Sequence, residues 1–151
     1  MDYKKYLEDP MFLRELIMDH YQHPHNKKQP EADDYTQKHM AMDSCIDDIT
    51  VFAKIDDGKI KDVRFDGIAC TISTASTSMM TDLLKGKTLK QAQEIIREYQ
   101  KMIDLEPYNE DLLVEAVAFK NVGKQANRIG CATIGWNAIK ELIIESEEKH
   151  D

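Results

Sequence analysis

Cysteine is scarce in this chain, with three residues among 151. Three thiols cannot all pair within one chain, and no Cys-x-x-Cys occurs, so neither a disulfide framework nor a zinc-finger signature is present. No run of about 18 apolar residues exists to make a transmembrane helix. The opening Met1-Asp2-Tyr3-Lys4-Lys5 lacks the apolar segment of a secretory signal. Basic charge is also short: 20 Lys and Arg against 28 Asp and Glu give a formal net charge of -8. That balance argues against a nucleic acid or an anionic membrane as partner. The expected compartment is the cytosol, where thiols stay reduced and metal binding or thiol chemistry outranks disulfides.

What is present suffices for one core. With 42% hydrophobic and 32% charged residues, residues 1–151 are expected to form a single domain, since domains commonly run about 100 to 150 residues. Phe12, Leu13, Leu16, Ile17 and His20 fall at helical spacing until Pro24 stops the pattern, and a polar loop follows from His23 to Asp34. Tyr35 to Met42 reads as an edge strand. Ile49, Val51, Ala53 and Ile55 alternate with Thr50, Phe52 and Lys54; Asp56-Asp57-Gly58 then turns the chain and Ile60 to Asp66 returns.

Helical patterns fill the second half. Ile72, Ala75, Met79 and Leu83 share a face that Gly86 closes, and Thr88 with Gln91 makes a capping-box signature before Leu89, Ala92, Ile96 and Tyr99. Asn109 is placed to cap a third helix carrying Leu112, Leu113, Ala116 and Phe119. A last helix is expected after Gly130, with Ala132, Trp136, Ile139 and Ile143 as its stripe and a solvated tail from Glu145 to Asp151. Strands first and helices later predict class α+β: a small antiparallel sheet of about three strands packed against helices.

Each cysteine sits where an element begins. Cys45 precedes the first strand of the hairpin, while Cys70 and Cys131 each open a helix-like stretch. A helix N-terminus or a bound metal favours the thiolate, which binds zinc or iron. In extended backbone Cys45 and Asp47 point to the same side while Ile46 faces away. If the fold gathers them, Cys45, Asp47, Cys70 and Cys131 make a four-ligand site; otherwise each cysteine is a small buried hydrophobe. His20, His23 and His25 around Pro24 read as a solvated loop ahead of the alternative, a metal-binding cluster; Asp43 and Asp48 read as reserve ligands, Met79 and Met80 as core, and Trp136 as packing.

Longer segments carry more specific information. Leu13 to Tyr21 with Pro24 and Asn26, Cys70-Thr71-Ile72-Ser73 running into Ala75 to Thr81, and Arg128-Ile129-Gly130-Cys131-Ala132-Thr133 with Trp136 resemble the NifU-N/IscU/SufU family of iron–sulfur cluster assembly proteins. The likeness is strongest to the SufU branch, given the long stretch between Cys70 and Cys131. It implies a small α+β sandwich and a zinc ion on Cys45, Asp47, Cys70 and Cys131. It further implies that Cys45 accepts sulfur from a SufS-type cysteine desulfurase for downstream iron–sulfur assembly proteins, with Arg128 supporting docking or the site. IscU-like relatives carry histidine where this chain has Gly130, which weakens a scaffold role with an iron–sulfur cluster on the same ligands. A structural zinc protein without sulfur chemistry is the third reading. Ile46 stands where the family has a glycine, and an extended loop accommodates it.

Overall fold

The Asp57-Gly58 turn closes the hairpin that organises the fold. In the computed structural model, which describes residues 3–42 and 46–149, these two residues take positive φ of 52° and 71°. That pair matches a type I′ turn, which follows the natural twist of its strands. The sheet contains β1 (Thr36–Ala41), β2 (Asp48–Asp56) and β3 (Lys59–Ile68), all antiparallel, in the order β1-β2-β3. Alternation sends Ile49, Val51 and Ala53 of β2 into the core, where Ile60, Val63 and Phe65 of β3 join them.

The helices are α1 (Tyr3–Tyr6), α2 (Pro10–Gln22), α3 (Thr71–Leu84), α4 (Leu89–Ile103), α5 (Glu110–Leu113) and α6 (Ala126–Lys149). The Asp9 side chain accepts the Met11 N–H at 3.0 Å and Pro10 occupies the first turn, so α2 starts where its caps dictate. Its end at Gln22 agrees with the stop signal at Pro24. The capping box is formed: Thr88 Oγ1 accepts the Gln91 N–H at 3.1 Å and Gln91 Oε1 accepts the Thr88 N–H at 3.0 Å. Helix α1 was not expected from the pattern.

Helix α3 is the centre of the packing. Its pattern predicts one apolar face, yet every residue from Ser73 to Thr81 is buried. Small Ser, Thr and Ala side chains admit close neighbours: a Cβ on Gly135 of α6 would fall 2.4 Å from Thr77 Oγ1. The buried hydroxyls are used as well as tolerated. Ser76 Oγ donates to the Ala132 carbonyl at 2.7 Å and accepts from Trp136 Nε1 at 3.0 Å. Tyr99 of α4 stacks on Trp136 with ring centroids 3.8 Å apart. Met79 and Met80 are core residues, as expected.

Two expectations need correction. The helix capped by Asn109 ends at Leu113; Val114 takes φ of 49° and the chain continues as a 3-10 turn, Val114–Phe119, that still buries Ala116 and Phe119. The last helix starts at Ala126, so Gly130 lies inside it rather than before it. Tertiary packing explains that glycine: a Cβ there would fall 2.4 Å from Met42 Cε. The solvated tail is exposed as expected at Glu145 and from Glu147 to Lys149, and it continues the helix, with Glu145 held 2.5 Å from Lys38 Nζ. Among the described residues, no helix is long and apolar enough to cross a membrane.

Candidate metal centre

Where β2 and α3 begin, Asp47 ties the two elements together. Its carboxylate is 1% exposed. Oδ1 accepts the Cys70 N–H at 2.8 Å, and Oδ2 accepts the Ser73 hydroxyl. Cys70 is the N-cap of α3 and its Sγ accepts the Ser73 N–H at 3.4 Å. The residue that opens the helix is thus held by an anion placed at its positive end.

Cys131 reaches the same place from α6. One ligand atom from each of Asp47, Cys70 and Cys131 lies within 4.8 Å of the other two. Cys131 is 4% exposed and sits in the second turn of its helix, so the expected N-terminal placement does not hold. Burial, then the neighbouring Cys70 and Asp47, push its thiol up to about 12. This is the reverse of the activation expected from a helix start, and it has a clear cause. Two sulfurs and a carboxylate become three adjacent anions if all ionise, and a cation among them removes the penalty. Thiolate with carboxylate is a donor set that suits zinc or another thiophilic divalent ion. The residues present therefore fit a metal.

Other expected site residues fall as follows. Cys45 and the reserve ligand Asp43 lie outside the described residues. Asp48 is exposed and paired with His39 at 2.7 Å, away from the sulfurs' partners. Ile46 is 66% exposed, and the exposed Ile68 faces Asp48 across the ladder. Arg128 helps line a cavity of about 440 Å³ shared with Cys70, Ile17, Ile72, Asn121 and Gln125.

Two features were not anticipated. Ser73 bridges Asp47 and Cys70; its signal is the three-residue spacing from a capping Cys70. His20 is buried rather than solvated, and it packs with His25 and Asp82 at the opposite end of α3.

Comparison with known proteins follows the same lines as the site. Residues 13–151 match the family described as the NifU-like N terminal domain. The chain is 34% identical to the zinc-dependent sulfurtransferase SufU of Bacillus subtilis over 89% of its own length and 90% of that protein's. It is 37% identical to the iron–sulfur cluster assembly scaffold protein IscU of Streptococcus pyogenes, over 87% and 82% of the two chains. A solved structure from Fervidobacterium islandicum, assigned as an iron–sulfur cluster assembly scaffold for the SUF system, superposes with a TM-score of 0.72. That structure is 30% identical and covers 83% of this chain and 92% of its own.

Proposed function

The chain belongs to the NifU-like N-terminal domain family of iron–sulfur cluster assembly proteins, and on that premise we propose that it is a zinc-dependent sulfur-transfer protein. As one domain over residues 1–151, it takes persulfide sulfur on Cys45 from a SufS-type cysteine desulfurase in the cytosol and hands it to downstream iron–sulfur assembly proteins. The convergence of Asp47, Cys70 and Cys131 within 4.8 Å is the observation that carries this reading. The 34% identity to a zinc-dependent sulfurtransferase supports it.

Cys45, Asp47, Cys70 and Cys131 would hold the ion. Zinc, when bound, would keep these sulfurs deprotonated and, being redox-inert, protect them from oxidation. The chain's own residues then divide the work. Cys70 is set at the start of α3 and Cys131 within α6, while Asp47, two residues after Cys45 in the sequence, is held by the Cys70 N–H. The Cys45 thiolate attacks the outer sulfur of the desulfurase persulfide. The partner's S–S bond breaks, a new S–S bond forms on Cys45, the proton stays on the transferred sulfur, and the partner's cysteine leaves as thiolate. No net oxidation occurs. Arg128, beside Cys70 in the 440 Å³ cavity, supports docking of the partner.

Desulfurase turnover with the Cys45→Ala variant tests the acceptor role. Stimulation should vanish; full stimulation would sink the idea. A second reading, a scaffold that builds a cluster as cargo on the same ligands, is favoured by the 37% identity to the streptococcal scaffold protein. Its carboxylate ligand suits a labile cluster, because oxygen binds iron–sulfur clusters less well than sulfur. Anaerobic reconstitution followed by Mössbauer spectroscopy separates the two, a stable transferable cluster supporting the scaffold.

A further inference from the structure

The far end of α3 carries a second group of donors that the sulfur chemistry leaves unused. His20 lies in the last turn of α2, His25 in the loop after it and Asp82 in the last turn of α3. One ligand atom from each lies within 4.8 Å of the other two. His20 is 2% exposed. Its Nδ1 is 2.7 Å from Ser78 Oγ, which also accepts the His25 N–H at 2.8 Å, and its Nε2 is 2.8 Å from Glu115 Oε2. His25 Nδ1 contacts Asp82 Oδ2, and Asn26 Nδ2 donates to Asp82 Oδ1 at 3.3 Å. His20, Asp82 and Glu115 line a cavity of about 210 Å³.

We propose that this cluster is a second cation site, in which His20, His25 and Asp82 hold a divalent first-row transition ion and Glu115 supplies a fourth donor. The donor chemistry selects the class of ion. Two imidazoles and two carboxylates, with no sulfur, suit zinc, iron(II), cobalt(II) or nickel(II). The charge fits as well, since two carboxylates balance one divalent ion and the imidazoles add none when neutral.

Preorganisation supports the same conclusion. Ser78 holds the His20 ring at Nδ1 and leaves Nε2, already beside Glu115, as the nitrogen offered to an ion, the kind of support metal-binding histidines have. Val114 carries a φ of 49°, a costly conformation for a β-branched residue, and it directly precedes Glu115. Ser78 is fully buried, so the Ser78, His20 and Glu115 series offers no hydroxyl to a substrate and does not serve as a hydrolytic triad. The alternative role, a hydrogen-bonded joint between α2, α3 and the 3-10 turn, requires no ion.

Titration of the metal-free, full-length protein with cobalt(II) distinguishes these roles. Two equivalents should bind, one showing thiolate-to-cobalt charge-transfer absorption and one showing ligand-field bands alone. The His25→Ala and Asp82→Asn variants should each lose the second equivalent while the charge-transfer band persists; Cys70→Ser should do the converse. His25 and Asp82 are 46% and 44% exposed, so both variants should fold, which circular dichroism verifies. A single equivalent in the wild type, or a second one that survives both substitutions, would overturn the proposal.

Discussion

The two ends of helix α3 hold similar numbers of titratable groups and treat charge in opposite ways. At the N-terminal end, Asp47, Cys70 and Cys131 are all potential anions, and the Cys131 thiol stays protonated because of its burial and its neighbours. At the C-terminal end, each carboxylate already faces an imidazole: Glu115 with His20 and Asp82 with His25. The hydrogen bond from His20, against the opposing effect of burial, holds the Glu115 carboxyl below its usual range. At the first end a bound cation would relieve the crowding of potential anions. The second is self-compensated, so an ion there competes with contacts that already exist and binds more weakly.

That contrast breaks most readily on metal removal. A ligand present at a thousandfold above its dissociation constant stabilises by about 4 kcal/mol, or roughly 10 °C in a chain of this size. Chelation of zinc from the sulfur end should lower the calorimetric Tm by about that amount, and a cation at the histidine end should contribute less. The pH dependence differs too. Zinc uptake must expel the Cys131 proton, so affinity at the sulfur end should climb with pH from neutrality towards about 12. In the metal-free protein the sign is opposite for stability. The neutral thiol is favoured in the fold, so its contribution is complete below the ordinary thiol pKa of about 8.5 and is lost as pH rises towards about 12.

Asp47→Ala is the next largest test. It deprives the Cys70 N–H and the Ser73 hydroxyl of their acceptor in a site that is 1% exposed at Asp47. Two buried donors left unsatisfied cost about 3 kcal/mol, measurable by urea unfolding followed through Trp136 fluorescence. Asp82→Ala, at a carboxylate that is 44% exposed, should cost well under half as much. The smallest effect belongs to Glu115→Gln, below about 1 kcal/mol because solvent reaches the Glu115 carboxylate, which is 38% exposed. Since the Glu115 pKa is lowered in the fold, its contribution is present above the ordinary carboxyl range and disappears as pH falls through the lowered value. The acid limb of the unfolding curve should therefore flatten in the variant.

Local signals were legible wherever they were decided locally. The Asp57-Gly58 turn, the Thr88 and Gln91 box and the alternation of Ile49 to Ala53 each depend on neighbours within a few residues, and each formed as expected. The structure brings Asp47, Cys70 and Cys131 within reach of one another, while Cys45, the fourth residue of the expected set, lies outside the described residues. Misreadings arose where distant partners decide. Gly130 reads as a boundary, yet it is a helical residue whose missing side chain makes room for Met42, 88 positions earlier by their numbering. His20 falls on the α2 stripe yet, grouped with His23 and His25 around Pro24, reads as solvated; the partners that hold it in the interior, Ser78 and Glu115, are 58 and 95 residues away. Val114 breaks a good helical pattern, and no signal near it announces the break.

The central claim is that Cys45, two residues before Asp47 in the sequence, receives sulfur. Mass spectrometry of the Cys45 peptide, after the zinc-loaded protein meets a SufS-type desulfurase and free cysteine, tests it directly. The account predicts an added sulfur atom on Cys45 that a mild reductant removes. Unmodified Cys45 alongside undiminished desulfurase stimulation would contradict it.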